Sequence, residues 1–284
     1  MNFFLGCAVW SYKGWVGNFY PTKSKQSEFL RLYSQRLTTV EGNTTFYAIP
    51  DKNTVDRWAE QTPPEFQFCL KLPKDLTHNG LLQPSIPGAL NFLEQMRRLD
   101  DRLGPIFAQL PPSYSPELYD DLSNFLTAWP RKEAPLALEV RHRDWFKKPH
   151  AEKLTNLLQN LGVGRVLLDS RPIYSGPNDP QVQLERRKPQ LPLQPSITTS
   201  FSLIRFISHP NKEVNQPFLT EWVRQINEWL QQGVRIYFFV HCPIEENSPH
   251  TAKSFQELLE KNGVAVPPLP WNNIDGTATQ LSLF

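Results

Sequence analysis

No stretch of this chain stays apolar for anything near the roughly 20 residues that cross a bilayer, so no membrane-spanning helix is expected. The opening MNFFLGC lacks the basic segment and the longer apolar stretch of a lipoprotein leader. Only three cysteines occur, Cys7, Cys69 and Cys242, far apart and with no C-x-x-C spacing. That excludes a zinc knuckle or disulfide framework and makes a reducing cytoplasm the expected location. Charge of one sign is scarce as well. Thirty Lys and Arg against 28 Asp and Glu leave a net +2, far below a dedicated duplex-binding protein, so any nucleic-acid contact must be local. There is no H-x-H, H-E-x-x-H or D-x-D spacing and no serine in a G-x-S-x-G elbow, which removes the common metal-hydrolase and nucleophile-elbow patterns.

What is present is an alternation. Eight short runs rich in β-branched and aromatic residues stand at 3–10, 38–43, 66–72, 105–111, 136–141, 165–170, 201–207 and 236–241. Between most of them lie segments with apolar residues three and four apart, at 27–37, 87–99, 116–129, 150–161, 218–232 and 251–262, with a shorter helix at 53–60 capped by Asn53. Nearly continuous strands alternating with helices indicate a parallel sheet covered on both faces. Eight such units in about 250 residues predict a TIM-type (β/α)8 barrel. The proline-dense 170–200 lacks a helical period, so a long irregular loop is expected in place of helix six, on the face where barrels carry their sites. The expected organisation is one barrel domain, 1–265, followed by a Pro-rich tail, 266–284.

Seven of the runs end on ionisable or amide side chains: Glu41 and Asn43, Lys71, Gln109, Glu139 and Arg141, Asp169, Arg205, and His241. A spacing of two puts Glu41 with Asn43, and Glu139 with Arg141, on one side of their strands, here the barrel interior. Carboxylates Glu41, Glu139 and Asp169 balance cations Lys71, Arg141 and Arg205, and burial makes their pairing nearly obligatory. Two readings follow. One is a structural ion network closing the barrel. The other is a pocket for an anion, with Lys71 and Arg205 binding phosphate or carboxylate and Glu41, Glu139, Asp169 and His241 as acid/base groups. His142, His209 and His241 with the three carboxylates offer enough donors for a divalent ion, but three neighbouring cations would repel one, so no metal or other cofactor is expected. Trp10, Tyr12, Trp15, Phe19, Tyr20, Phe46 and Tyr47 gather near the ends of the first two strands, either to stack on a base or sugar or to form core beneath the loops.

The segments VWSYKGWVGNFYP (9–21), VEGNTTFYAIP (40–50), FQFCLKLPKDLTH (66–78), FAQLPPSY (107–114), LEVRHRDW (138–145), LLDS (167–170) and IRFISHP (204–210) resemble, in order and spacing, the YecE-like family, domain of unknown function 72. The resemblance implies a TIM-type barrel and no particular reaction. It adds Trp10, Tyr12, Tyr47, His78 and His142 to the expected substrate-binding set of Asn43, Lys71, Gln109, Arg141, Arg205 and the rim residue His209. After the eighth strand the family's paired amides are replaced here by His241 and Cys242, and a later Asn by Thr251, so a titratable group stands where neutral hydrogen bonding is usual.

The chain closes on QLSLF, which resembles the pentapeptide that lodges in a hydrophobic groove of the bacterial replication sliding clamp. The resemblance implies contact through Gln280, Leu281, Leu283 and Phe284, carried on the Pro-rich tether before them. Burial of two leucines and a phenylalanine, less the cost of ordering the tail, gives an affinity on the order of micromolar. A tail folded back on its own barrel is the alternative. Three functions stay open at this point: a barrel enzyme on a phosphorylated or nucleic-acid-derived substrate recruited to the clamp, an acid/base barrel acting on a sugar or small metabolite, and a non-catalytic adaptor.

Overall fold

The computed structural model describes residues 2–176, 178–182 and 187–272. Eight parallel strands, β1 (Phe3–Cys7), β2 (Thr39–Gly42), β3 (Gln67–Leu70), β4 (Ile106–Gln109), β5 (Leu136–Glu139), β6 (Gly164–Asp169), β7 (Phe201–Ile207) and β8 (Arg235–His241), pair in the order β3-β2-β1-β8-β7-β6-β5-β4. The remaining seam, β3 against β4, is made by the bridges Phe68 to Leu103 and Lys71 to Phe107. Across it Leu72 donates to Phe107 O at 2.9 Å and Gly104 to Phe68 O at 3.0 Å. The sheet therefore closes on itself as the expected TIM-type barrel.

Helices fill the connections: α1 (Phe29–Ser34), α2 (Thr44–Tyr47), α3 (Lys52–Glu60), α4 (Lys74–Thr77), α5 (Ile86–Met96), α6 (Tyr119–Ala128), α7 (His150–Leu161), α8 (Arg171–Ser175), α9 (Lys212–Gln231) and α10 (Ser248–Lys261). Several helix termini differ from the sequence reading, two of them at a cap or a proline. Asp51, not Asn53, caps α3, its carboxylate accepting from Thr54 N at 2.7 Å, because the helix starts one residue before Asn53. α9 begins at Lys212, capped by Asn211, and carries Pro217 inside rather than starting after it. A proline near a helix start loses few intrahelical bonds, so it marks the terminus only loosely. α7 stops at Gly162 in a left-handed conformation (φ 63°), where a side chain would be strained. Between β6 and β7 the described residues hold one short helix, α8, and otherwise no helix or strand.

One apolar cluster, Phe4, Cys69, Phe107, Ala137, Val166, Phe201, Leu203, Tyr237 and Phe239, draws on seven strands and no helix. It is therefore the barrel interior. The larger cluster joins the alternate strand residues, such as Leu5, Val40, Leu70, Leu138 and Phe238, to the helices. Gly6 lets β1 and β2 approach closely, since a Cβ there would lie 1.9 Å from Thr39 O. The chain after α10 does not leave the barrel at once. Val264 is buried, Val266 and Leu269 pack on the core, and the Trp271 ring lies against Phe19, Arg36 and Lys253. Gln280, Leu281, Leu283 and Phe284 lie outside the described residues.

Candidate functional site

Five polar residues of the mouth each stand two positions beyond a residue of the interior cluster. Lys71 follows Cys69, Gln109 follows Phe107, Glu139 follows Ala137, Arg205 follows Leu203 and His241 follows Phe239. The pleat therefore delivers them to one opening, above an apolar floor. Arg205 is the hub. It donates through Nε and Nη2 to the two oxygens of Glu41, both at 2.8 Å, and through Nη1 to Glu139 Oε2 at 2.5 Å. Arg141 Nε reaches Glu139 Oε1 at 2.7 Å, and its Nη2 reaches Gln109 Oε1 at 2.6 Å. Asn43 Nδ2 donates to Glu41 Oε1 at 2.7 Å and to Ala8 O at 3.2 Å. His241 Nε2 lies 2.9 Å from Glu41 Oε2. Because an ionised carboxylate only accepts, that nitrogen carries the hydrogen and Nδ1 is left as an acceptor.

The electrostatics follow from this pairing. Burial raises the Glu41 carboxyl, but Arg205 and then His241 more than offset it and hold the group well below the usual carboxylate range. Glu139 is likewise held at about 2, the burial effect being overcome by Arg205 and Arg141. Burial pushes His241 down to about 4 against the opposing pull of Glu41, so the ring is neutral at physiological pH. Two arginines thus balance two carboxylates.

Further cations surround this balanced group. The opening is a cavity of about 520 Å3 lined by Lys71, Lys74, Arg141, Arg187, Lys188 and Arg205, with Asn43, Phe46, Tyr47, His78, Gln109, His241 and Glu245. Arg187 pairs with Asp179 at 2.9 Å. Lys71, Lys74 and Lys188 have no carboxylate partner among the described residues. Lys71 Nζ donates to Gln109 Oε1 at 2.8 Å and sits 3.6 Å from the centre of the Phe46 ring. Burial, and after it Arg205, pushes Lys71 down to about 7 and Lys188 down to about 8. Glu245 moves the other way, raised by burial to about 8. His78 is lowered to about 4 by burial and then by Lys71.

Several expected site residues lie elsewhere. Asp169 is on the outer face of β6, where it accepts from Trp222 Nε1 of α9 at 2.9 Å and pairs with Arg171. The inward residues of that strand are Val166 and Leu168. Trp10 packs edge-on to Trp58 and Phe68, and Tyr12 OH donates to Glu246 at 2.6 Å, neither lining the cavity. His142 caps the turn at Arg143–Phe146, its Nδ1 accepting from Asp144 N at 3.2 Å. His209 lies against Gly176, with Nδ1 accepting from Asn211 N at 2.9 Å. Trp15, Phe19 and Tyr20 are buried beneath the first loop, whereas Tyr47 is 75% exposed at the mouth. Cys242 is a buried thiol, which burial pushes up to about 11. No three His, Cys, Asp or Glu side chains gather to hold a metal ion among the described residues.

The match to a family is set by almost the whole chain. The model of a family described as "Protein of unknown function DUF72" aligns with residues 4–273. The UPF0759 protein YecE of Escherichia coli K12 is 33% identical over 273 residues, covering 94% of this chain and 97% of that protein. The chain belongs to the DUF72 family. Another relative, UPF0759 protein YunF of Bacillus subtilis, is 23% identical over 277 residues, covering 90% of this chain and 94% of YunF. Among solved structures, a DUF72 family protein of Thermotoga maritima superposes with a TM-score of 0.70 at 22% identity, over 92% of this chain and all (100%) of that one. A DUF72 protein of Enterococcus faecalis gives 0.68 at 17%, covering 91% and 97%. The DUF72 barrel is thus the frame on which this mouth is built.

Lys188, Arg187, Lys74 and Glu245 were not singled out from the sequence. Lys74 follows β3 by four residues, at the start of the short α4, and Glu245 follows β8 by four, at the start of a single 3-10 turn; a charged residue there has no distinguishing pattern. Arg187 and Lys188 come from the proline-dense segment after α8.

Proposed function

We propose that this DUF72 barrel is an enzyme acting on a phosphorylated or nucleic-acid-derived substrate, recruited to the DNA sliding clamp through its C-terminal pentapeptide. The observation that carries the first half is the charge left over at the mouth. Glu41 and Glu139 are fully engaged by Arg205 and Arg141, while Lys71, Lys74 and Lys188 face the same cavity without a carboxylate partner among the described residues. Lys71 is buried, and a buried cation without a counter-charge is costly; a phosphate would supply that charge together with several acceptors, with the exposed Lys74 and half-buried Lys188 beside it. The exposed Tyr47 offers a ring face for a base or sugar beside it. In this reading Glu41 and Glu139 hold the two arginines in place, and the chemistry falls to groups whose proton affinity is displaced toward neutrality.

Inorganic phosphate and mononucleotides should therefore raise the melting temperature. At about ten times the dissociation constant the linkage gives about 1.4 kcal/mol. The effect should shrink in Lys188→Ala and weaken with added salt. Protection that is absent for every phosphorylated compound tried, or equal in wild type and Lys188→Ala, counts against an anion site.

Recruitment rests on Gln280, Leu281, Leu283 and Phe284 matching the clamp-binding pattern at the end of a Pro-rich tether. Full-length protein should bind purified bacterial clamp with a dissociation constant on the order of micromolar. A chain ending at residue 279 should bind at least about tenfold more weakly, because most of the apolar burial is removed. Equal binding by the two forms would exclude the tail.

A further inference from the structure

Lys71 differs from the other cations of the mouth in how it is held. It directly follows β3, and its backbone bridges to Phe107 across the barrel seam, so its stem rises from the rigid sheet rather than from a loop. The residue is 5% exposed yet lines the cavity. Its nitrogen meets one amide oxygen and one aromatic face, neither carrying a negative charge. Nothing among the described residues holds it as an ion-pair partner. Burial, with the Arg205 guanidinium in the same mouth, outweighs these two contacts and favours an amine with a free lone pair over an ammonium ion.

Resting on the anion reading above, we propose that Lys71 is a nucleophilic amine that condenses with the aldehyde or ketone carbon of a phosphorylated substrate, giving the barrel a Schiff-base chemistry. The Nζ lone pair attacks the carbonyl carbon and the carbon–oxygen π pair moves to oxygen. That oxygen takes up one proton, and the nitrogen loses one, to give a neutral carbinolamine. A second proton on the hydroxyl lets it leave as water while the nitrogen pair forms the carbon–nitrogen double bond, leaving a cationic iminium. The carboxylate that Glu245 becomes on protonating the hydroxyl then takes a proton from the carbon next to the iminium, that C–H pair forms a carbon–carbon double bond while the C=N pair returns to nitrogen as a neutral enamine, and no oxidant or reductant enters. Two groups at the mouth are poised for this sequence. At its displaced pKa of about 7, roughly half of Lys71 is neutral at neutral pH. Glu245 lines the same cavity with Oε1 buried and unpartnered among the described residues, and its raised pKa keeps it protonated as a proton donor. Lys74, Lys188 and Arg141 are left to hold the phosphate.

The test is reductive trapping on the full chain. Protein is incubated with dihydroxyacetone phosphate or with unphosphorylated dihydroxyacetone in the presence of cyanoborohydride, and adducts are located by peptide mass spectrometry. The expected result is a secondary amine at Lys71 formed at least about tenfold faster than at any other lysine with the phosphorylated probe, competed by inorganic phosphate and absent from Lys71→Met. Rapid trapping at Lys71 with both probes, unaffected by phosphate, supports the amine while removing the anion reading on which the substrate class rests. Adducts spread over surface lysines, or concentrated on Lys188 instead, overturn the proposal. If phosphate still stabilises the fold in that case, the anion reading survives and only the chemistry assigned to Lys71 falls.

Discussion

Arg205→Met is expected to destabilise the barrel by about 3–5 kcal/mol, the penalty of stranding buried carboxylates whose partner has gone. Arg205 is 3% exposed and makes three short hydrogen bonds to Glu41 and Glu139, themselves 0% and 1% exposed. Methionine fills much of the stem volume but offers no donor, so two negative charges would face one another above the apolar floor, moderated by Arg141, Asn43, His241 and the more distant Lys71. Denaturant unfolding of wild type and variant at pH 7.5 checks the magnitude. The pH dependence supplies an independent reading. Glu41 is held below the ordinary range by Arg205 against a burial effect that raises it, so in the variant its folded-state pKa moves up past the unfolded value. The deficit should then be largest at neutral pH and shrink as pH falls and the carboxyl takes a proton. Combining Arg205→Met with Glu41→Gln and Glu139→Gln should recover part of the loss, a non-additivity expected of one coupled group. A loss under about 1 kcal/mol, flat with pH, would mean that the three side chains do not share their charges as drawn.

How much of this was legible beforehand depended on whether the sequence pattern carried parity. Glu139 ends β5 and Arg141 stands two residues on, so an extended chain turns both the same way, and the same spacing links Glu41 in β2 to Asn43 just past it. That was enough to gather Glu41, Lys71, Gln109, Glu139, Arg141, Arg205 and His241 at one opening. In β6 the run Val166, Leu167, Leu168 is apolar on both faces, as a strand covered by helices requires. It gives no sign of which way Asp169 points, and the side chain in fact meets Trp222 in the helix layer. Trp10 and Tyr12 failed for a related reason. Aromatic rings beside a strand end look alike whether they pack beneath a loop or face a ligand, and only the register of the loop decides. Lys188 came from chain with no period at all, so neither its burial nor its approach to the mouth had any precursor in the pattern. The fold was readable because periodicity repeats eight times, whereas the site was only half readable because its loop residues occur once each.

Lys71→Met should stabilise the protein by about 2–4 kcal/mol at pH 6, an unusual direction for a substitution inside a barrel. The lysine is buried with an amide oxygen and a ring as neighbours, and neither repays the removal of an ammonium ion from water. Its folded-state pKa of about 7 lies below the 10.5 of an unperturbed lysine. Below pH 7 the folded and unfolded chains both hold the proton, and the fold carries the full cost of the charge. Between the two values only the unfolded chain is protonated, so the wild type gains stability as pH rises, and above the upper value the cost has vanished. The advantage of Lys71→Met over wild type should therefore be greatest at pH 6 and fall away as pH approaches 10.5. Thermal or urea unfolding of both proteins between pH 6 and 9.5 covers most of that window. Phosphate should narrow the gap from the other side, by stabilising wild type at pH 6 more than the methionine variant. A residue retained at a cost to the fold, and relieved of that cost by an anion, is what a binding or catalytic role produces. If Lys71→Met were less stable than wild type at pH 6, the ammonium would have to be held by a partner stronger than Gln109 and Phe46, and the reading of the mouth as an anion site would fail with it.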